Sequence, residues 1–208
     1  MEHPPFFKRA WSNKTVFISI GSSKSALADL EIAEKIGCPL IVVPGSEEGL
    51  TGWIEVAECI KTHQPVLSPK SDFSKGSYDK WIPPKNLRIE AAKMPFWKHA
   101  TTFKVSDTYS LECVPFYDWV ESQCKVIGLS PEETRIDILK IGMQEGNERS
   151  ILYAALDAGF RPSALLIKWS APPDTDVPTK MAMGHLQNCG YSFVRRKGIY
   201  SLYYFNSV

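Results

Sequence analysis

Short, predominantly apolar runs alternate with helix-like segments along much of this chain, and this alternation leaves few folds open. Four such runs lie at residues 15–20, 40–43, 136–141 and 164–169. A strand that is apolar on both sides is buried between two layers, and such strands are typical of parallel sheets with right-handed helical crossovers. The pattern predicts an α/β fold, with a Rossmann-like, doubly wound and mostly parallel sheet that has helices on both faces.

The segments between these runs carry apolar residues at helical spacing and end in turn residues, as at Gly159 and Gly190. Two further runs, 191–194 and 199–205, predict a carboxyl-terminal antiparallel hairpin around a turn at residues 195–198. The predicted helices are residues 26–36, 47–61, 115–127, 148–158 and 178–189.

The length of the chain, 208 residues, is enough for one α/β domain with a substantial core and too short for two ordinary domains. We therefore expect a single domain over residues 1–208, with an irregular insertion at about residues 62–102 that is rich in Pro, Lys and Ser. Loops of this length in a compact domain often carry function, so a substrate lid is one interpretation. The other is that aromatic residues such as Trp81 and Trp97 pin the loop to the body of the domain.

Charge and cysteine content exclude several classes of partner and site. Lys and Arg number 24 against 23 Asp and Glu, a net charge of +1, which predicts no nucleic-acid partner and no membrane partner. The basic cluster at residues 195–197 is interpreted as a solvated face.

Five widely spaced cysteines without a CxxC pair indicate reduced thiols in a cytoplasmic protein, and no metal-ligand spacing of Cys or His occurs. No apolar run approaches the length of a membrane span.

The ends of three predicted strands mark the expected site. Open α/β sheets bind ligands at the carboxyl ends of strands where the strand order reverses, so Ser19 to Ser25, Val43 to Glu48 and Gly142 to Glu148 should converge on one crevice. The first segment has one glycine where a dinucleotide-binding loop has three, so its glycine pattern alone is weak. Its serines are explained either as helix caps or, with the backbone N–H groups of the helix start, as a carboxylate site.

Three strings, in this order, resemble the FkbM-type S-adenosylmethionine-dependent methyltransferases. They are Val16-Phe17-Ile18-Ser19-Ile20-Gly21, then Leu40 to Pro44, then Ile136-Asp137-Ile138-Leu139-Lys140-Ile141 followed by Glu145-Gly146-Asn147-Glu148. The last string is the most specific, because the family reads close to Ile-Asp-Leu-Leu-Lys-Ile-Asp and then Glu-Gly-Ala-Glu. The resemblance spans roughly residues 14–205 and leaves the middle insertion uncovered.

The resemblance implies transfer of a methyl group from S-adenosylmethionine to an oxygen of a small molecule or sugar. Glu145 is expected at the mouth of the crevice as a catalytic residue that contacts substrate or cofactor, although Glu145 and Glu148 are also explained as acids at a helix amino terminus. His99, within the insertion, is the candidate base that removes a proton from the acceptor. The expected cofactor-binding residues are Ser19, Gly21, Ser23, Val43, Pro44 and Gly142.

Several polar positions of the family are changed in this chain. Ser19 stands where the family has Asp, Val43 replaces the acid that takes the ribose hydroxyls of the cofactor, and Gly142 replaces the Asp of the third string. A second hypothesis is therefore a catalytically inactive methyltransferase-like protein with a binding or assembly role. A third, a dinucleotide-binding oxidoreductase, is disfavoured by the single glycine and by the missing acid after the second strand. An open polar crevice would favour the enzyme, and one plugged by Val43, Met143 and Trp97 would favour the inactive protein.

Overall fold

The computed structural model describes residues 15–21, 26–43, 53, 89–91, 102–104, 110–112, 115–126, 135–143 and 147–206. Trp53 is helical and buried, within the segment predicted as a helix at residues 47–61. The elements in chain order are β1 (Thr15–Ile20), α1 (Ala26–Ile36), β2 (Leu40–Val43), β3 (Ile89–Ala91), β4 (Thr102–Lys104), β5 (Ser110–Glu112), α2 (Phe116–Val126), β6 (Arg135–Ile141), α3 (Asn147–Asp157), β7 (Ala164–Lys168), α4 (Val177–Asn188), β8 (Tyr191–Lys197) and β9 (Tyr200–Phe205).

The main sheet contains seven strands of the described residues, in the order β3-β2-β1-β6-β7-β9-β8. The strands from β3 to β7 in this order run parallel, whereas β9 is antiparallel to β7 and to β8. The strand order reverses between β1 and β6, which pair from Thr15 with Arg135 to Ile20 with Ile141. The predicted fold class is confirmed, because the sheet is doubly wound, mostly parallel and completed by a carboxyl-terminal antiparallel hairpin.

Alternate side chains of β1 point to two different buried faces of the sheet. Ile18 lies in the hydrophobic core on one face, together with residues of α2, α3 and α4 such as Trp119 and Ile151. Ser19 points to the opposite face, here named the α1 face, and contacts Asp29 of α1. Because helices cover both sides, every residue of β1 is buried, and its sequence therefore lacks the polar alternation of a half-exposed strand.

The carboxyl-terminal hairpin differs from its predicted bounds. β8 extends to Lys197, so most of the predicted turn at residues 195–198 is strand. The connection is the two-residue turn formed by Gly198 and Ile199, and Gly198 has φ 60, the positive value that such hairpin turns require. The pairing register also shifts within β8, which accommodates an irregularity in the strand. The basic cluster of the sequence is therefore part of a strand, where alternate side chains face opposite sides of the sheet.

Part of the predicted insertion belongs to the main sheet. Ile89–Ala91 forms the edge strand β3 and pairs in parallel with β2, from Leu40 with Ile89 to Val42 with Ala91. β4 and β5 form a separate two-stranded antiparallel ribbon. Most of residues 62–101, and with them the predicted lid, lie outside the described residues.

Three cysteines of the described part of the chain, Cys38, Cys124 and Cys189, carry free thiols. Burial raises the pKa of the Cys38 thiol to about 12, so this thiol stays protonated near neutral pH. Among the helices that the structure describes, none is long and apolar enough to cross a membrane. Over the same residues, no three His, Cys, Asp or Glu side chains are grouped in a way that could hold a metal ion.

Candidate functional site at the reversal of strand order

The carboxyl ends of β1, β2 and β6 are joined at the point where the strand order reverses. The backbone N–H of Gly21 donates to the carbonyl of Val43 at 2.7 Å, and that of Gly142 donates to the carbonyl of Ile20 at 2.7 Å. The described parts of the three segments that the sequence placed together therefore meet. They meet at the edge where open α/β sheets bind ligands.

Gly21 occupies a position at which a side chain would collide with the neighbouring segment. Its φ is 76, in the left-handed region that favours glycine. A Cβ placed there would lie 2.7 Å from both the backbone nitrogen and the Sδ atom of Met143, and 2.9 Å from the carbonyl carbon of Gly142. Two of these three atoms belong to the backbone and cannot move aside alone. The close approach of the segment after β6 therefore requires glycine at the end of β1.

Val43 and Met143 form an apolar floor beneath this edge. Val43 is 0% exposed and Met143 is 5% exposed, and both belong to the hydrophobic core. Gly21 and Gly142 are half-buried, so the ends of β1 and β6 present backbone rather than side chains. The edge thus combines an apolar floor with two partly accessible glycines.

A buried polar cluster lies on the α1 face, just before the end of β1. The Nζ of Lys140 donates to both carboxylate oxygens of Asp29, at 2.7 and 2.8 Å, and the Oγ of Ser19 donates to Asp29 Oδ2 at 2.7 Å. All three side chains are buried. Ser19 and Lys140 are direct partners on neighbouring strands, so their side chains point to the same face. The cluster therefore fixes α1 against β1 and β6.

Two opposing effects act on the ammonium group of Lys140. Burial lowers its pKa, and the charge and hydrogen bonds of Asp29 raise it, with burial the larger effect, so the pKa lies below the ordinary lysine value. Ser19 occupies the position at which FkbM-type sequences have Asp. In this chain the carboxylate that contacts both Ser19 and Lys140 is that of Asp29 in α1.

Glu148, one of the two acids of the third string, is buried at the amino end of α3. Its Oε1 accepts from the backbone N–H of Ser170 at 3.1 Å, and its Oε2 accepts from the Ser170 hydroxyl at 2.6 Å. Ser170 follows β7, so the Glu148 carboxylate joins the segment after β6 to the segment after β7. These contacts support a structural role for Glu148 at the start of its helix.

Arg149 extends this network to the start of α4. Its Nη1 donates to Asp176 Oδ2 and to Thr179 Oγ1, both at 3.3 Å. Asp176 is the amino-terminal cap of α4 and accepts from the N–H and the hydroxyl of Thr179, at 2.8 and 2.6 Å. These two hydrogen bonds lower the pKa of the Asp176 carboxyl. The amino ends of α3 and α4 are therefore linked beside the carboxyl end of β7.

The sequence prediction omitted Asp29 and Ser170. Asp29 shares the buried side of α1 with Ala33 and Ile36, at helical spacing. A carboxylate on a buried helix side and a lysine in an apolar strand are each unusual, and together they are the sequence indication of a buried pair. No comparable indication exists for Ser170, because its contact with Glu148 depends on how the segments after β6 and β7 meet.

The predicted site residues divide into two groups. Gly21, Val43 and Gly142 meet at the sheet edge, and Ser19 lies in the polar cluster beneath it. Their contact with a cofactor stays a prediction. The predicted residues that lie outside the described part of the chain are Ser23, Pro44, Glu145 and His99.

Replacing Glu148 with alanine is expected to lower the free energy of unfolding by about 2 kcal/mol, because the Ser170 N–H and hydroxyl lose a charged acceptor. Urea unfolding followed by circular dichroism measures this change. Glu121→Ala is the matched control, since Glu121 pairs with Lys125 on the surface of α2, and its loss should leave stability nearly unchanged. Equal effects of the two substitutions would contradict the structural role of Glu148.

Comparison with known proteins gives a structural likeness only. No family model matches the chain, and no curated protein matches its sequence. The chain is similar to the solved structure of methyltransferase FkbM from Methylobacillus flagellatus KT, with 14% identity and a TM-score of 0.52. The likeness covers 93% of this chain and 44% of that one, so the chain spans less than half the length of the FkbM protein.

Two further solved structures are similar at lower TM-scores. Fibrillarin in its complex with Nop5p is 12% identical, with a TM-score of 0.43 over 93% of this chain and 73% of that chain. TrmK of M. capricolum, bound to S-adenosylhomocysteine, is 11% identical, with a TM-score of 0.41 over 96% of this chain and 64% of that chain. At these TM-scores neither structure bears on the fold, whereas the likeness to the FkbM structure does. With the strand order and the terminal hairpin, it shows that this chain shares the Rossmann-like fold of the FkbM structure.

Proposed function

We propose that this chain binds S-adenosylmethionine at the edge formed by β1, β2 and β6, and that it transfers the methyl group to an oxygen of a small molecule or sugar. The observation that carries the proposal is the meeting of Gly21 and Gly142 at the reversal point of a sheet with the Rossmann-like fold of the FkbM structure. Open α/β sheets bind their ligands at this point.

The described residues fit such a ligand in two respects. Half-buried Gly21 and Gly142 present backbone at the edge, which allows a ligand to approach closely. Helix α1 begins at Ala26, shortly after this edge, and a helix amino terminus favours a carboxylate such as that of the methionine part of the ligand. The bound ligand supplies a methyl group on a positively charged sulfur.

The chain's own part in this proposal is positioning and proton removal. Ser23 and Pro44 hold the ligand beside Gly21. Glu145 contacts the acceptor or the ligand at the mouth of the crevice, and His99 takes the proton that the acceptor hydroxyl loses. The polar cluster on the α1 face contributes indirectly, because it fixes the helix whose amino end follows the edge.

Thermal unfolding with S-adenosylmethionine, or with its demethylated product, tests the binding step. Ligand at about 100 times its Kd adds roughly 2.7 kcal/mol of stability, which raises Tm by about 5 to 10 °C for a chain of this size. Gly142→Ala should reduce the shift, because its added Cβ would lie 3.2 Å from the carbonyl oxygen of Gly21 and so disturb the joined ends of β1 and β6. Gly184→Ala is the matched control, since an added Cβ at Gly184 in α4 meets nothing within 4 Å.

The absence of a shift in the unchanged chain would refute binding of this cofactor. If Gly142→Ala reduces the shift no more than Gly184→Ala does, the ligand does not bind at this edge. If the shift is found, transfer of a labelled methyl group to small hydroxyl compounds and sugars tests the reaction itself.

A catalytically inactive binding or assembly protein is the second candidate, and the burial of Val43 and Met143 favours it. Val43 directs an apolar side chain into the core where FkbM-type sequences carry an acid, and Met143 packs against Gly21. A hydrogen bond to a charged group contributes about 1.5 to 3 kcal/mol, so the missing acid lowers the expected affinity. Measured methyl transfer to any acceptor would refute this candidate.

A further inference from the structure

The α1 face of the sheet has two halves. Helix α1 contacts one half, on β1 and β6, and β7, β9 and β8 form the other half-face. Lys140 pairs with Leu166, and Leu166 pairs with Leu202, so these side chains all point to the α1 face. Two residues along the same strands, Lys168 and Tyr200 point the same way. The described helices α2, α3 and α4 contribute to the core on the opposite face, and none of them packs here.

Four side chains, here named the basic row, lie at the end of this half-face nearest the candidate site. Lys168 pairs with Tyr200, and Tyr200 pairs with Lys197, so two cations flank an aromatic ring across three neighbouring strands. Strands in a sheet lie about 4.8 Å apart, which puts the two lysine backbones about 10 Å apart. Arg195 is the fourth member and lies two residues before Lys197 on β8, opposite Leu202.

The basic row is accessible, and no acid of its own strands neutralises it. Tyr200 is 42% exposed, Arg195 and Lys197 are exposed, and Lys168 is half-buried. The sequences of β7, β8 and β9 contain no Asp or Glu. Among the described residues, no ion pair is formed by Lys168, Arg195 or Lys197. Within the described part of the chain, the basic row therefore carries positive charge that no acid pairs with.

Arg196, between Arg195 and Lys197 on β8, is a cation that already has an acidic partner. Arg196 pairs with Ser201, which lies between Tyr200 and Leu202 on β9. Successive side chains of a strand alternate, so Arg196 points to the face opposite Arg195 and Lys197. There its guanidinium donates to both carboxylate oxygens of Asp174, at 3.0 and 2.7 Å. Arg196 is therefore a charge of the same sign on the same strand, already paired and outside the basic row.

We infer that the basic row binds single-stranded nucleic acid, with the cations on phosphates and the ring of Tyr200 stacked on a base. Phosphates need cations, and every base has a face on which an aromatic ring stacks, so cations interleaved with an exposed ring fit this occupant. An acidic peptide would use the charges and leave the ring unused. The net charge of +1 predicted no nucleic-acid partner, but that sum averages over the whole chain and conceals the charge of one face.

Fluorescence anisotropy of a labelled oligouridine of about 12 nucleotides tests the inference with the full chain and without S-adenosylmethionine. Three phosphate contacts should make log K fall against log salt with a slope of roughly −2. Lys168→Gln and Lys197→Gln together should weaken binding at least about tenfold and reduce this slope by about 1.4. Tyr200→Ala should weaken binding by about tenfold, and Tyr200→Phe, which keeps the ring, should restore it.

Arg196→Gln is the matched control, since it removes one positive charge from β8 on the opposite face and should leave the Kd nearly unchanged. Thermal unfolding confirms that each variant is folded. The inference is overturned if oligouridine does not bind at low salt, if Arg196→Gln weakens binding as much as Lys197→Gln alone, or if polyglutamate of the same charge binds equally well. Because the titration contains no S-adenosylmethionine, its failure leaves the proposed function to its own test.

Discussion

Replacing Asp29 with alanine is expected to lower the free energy of unfolding by about 3 to 5 kcal/mol, the largest effect among the substitutions proposed. The substitution leaves the ammonium of Lys140 buried without the carboxylate that it contacts at 2.7 and 2.8 Å. Removing one partner of a buried ion pair costs this much because the remaining group keeps the cost of burial and loses the opposite charge beside it. Urea unfolding at neutral pH, followed by circular dichroism and by tryptophan fluorescence, measures the loss.

The double variant Asp29→Leu with Lys140→Met is the control for this prediction. It removes both charges and keeps apolar volume, so it should recover most of the stability that Asp29→Ala loses. Ser19→Ala, which removes only the neutral member of the cluster, should cost about 1 kcal/mol. A double variant as unstable as Asp29→Ala would show that the loss comes from packing rather than from the separated charges of Asp29 and Lys140.

The deficit of Asp29→Ala should shrink as the pH is raised. The pKa of Lys140 lies below the ordinary lysine value because of burial, and Asp29 opposes this lowering, so the variant has an even lower pKa. Where the unfolded chain still binds the proton and the folded variant has lost it, stability rises with pH. The unfolding free energy of Asp29→Ala should therefore approach that of the unchanged chain as the pH rises from neutral toward the ordinary lysine pKa of about 10.4. A deficit that stays constant over this range would contradict a buried ammonium as its cause.

Gly21→Ala is expected to lower the free energy of unfolding by about 2 to 5 kcal/mol, which is the second large effect. A left-handed φ costs a non-glycine residue roughly 1 to 2 kcal/mol, and forcing a methyl group into a packed site costs about 1 to 3 kcal/mol more. The collision partners include backbone atoms of Gly142 and Met143, so the strain reaches the joined ends of β1 and β6. Urea unfolding measures the change.

Gly37→Ala separates the two causes of this effect. Gly37 has φ 72, close to that of Gly21, but an added Cβ there meets nothing within 4 Å. Its substitution should therefore cost only the conformational part, about 1 to 2 kcal/mol. If Gly37→Ala is as destabilising as Gly21→Ala, the close approach of Met143 does not determine the residue at position 21.

The helix and strand assignments show where local sequence is sufficient. The strands at residues 15–20, 40–43 and 136–141 were predicted nearly to their observed ends, because each is buried on both faces and its apolar run stops where burial stops. The hairpin bounds were wrong at residues 195–198. There the predicted turn is strand up to Lys197, since pairing with β9 continues to Tyr200 whatever the charge of the side chains.

The candidate site was predictable in place but not in contacts. The carboxyl ends of parallel strands lie at one edge of a sheet. The meeting of Gly21, Val43 and Gly142 could therefore be expected from the order of the predicted strands. The contact of Lys140 with Asp29 could not be expected from the sequence. A helix can approach a sheet in many ways, and only the observed packing of α1 brings Asp29 to Lys140.

The sequence alone therefore determined the fold class, because burial on both faces of a sheet is recorded locally in each apolar run. Only the tertiary structure decided which distant residues touch: Glu148 with Ser170, Asp29 with Lys140, and the segment after β6 with Gly21. It also decided that a chain of net charge +1 gathers cations beside an exposed tyrosine on one half of a sheet face. The physical reason is that these contacts depend on strand register and helix docking, which arise from packing among segments far apart in the chain.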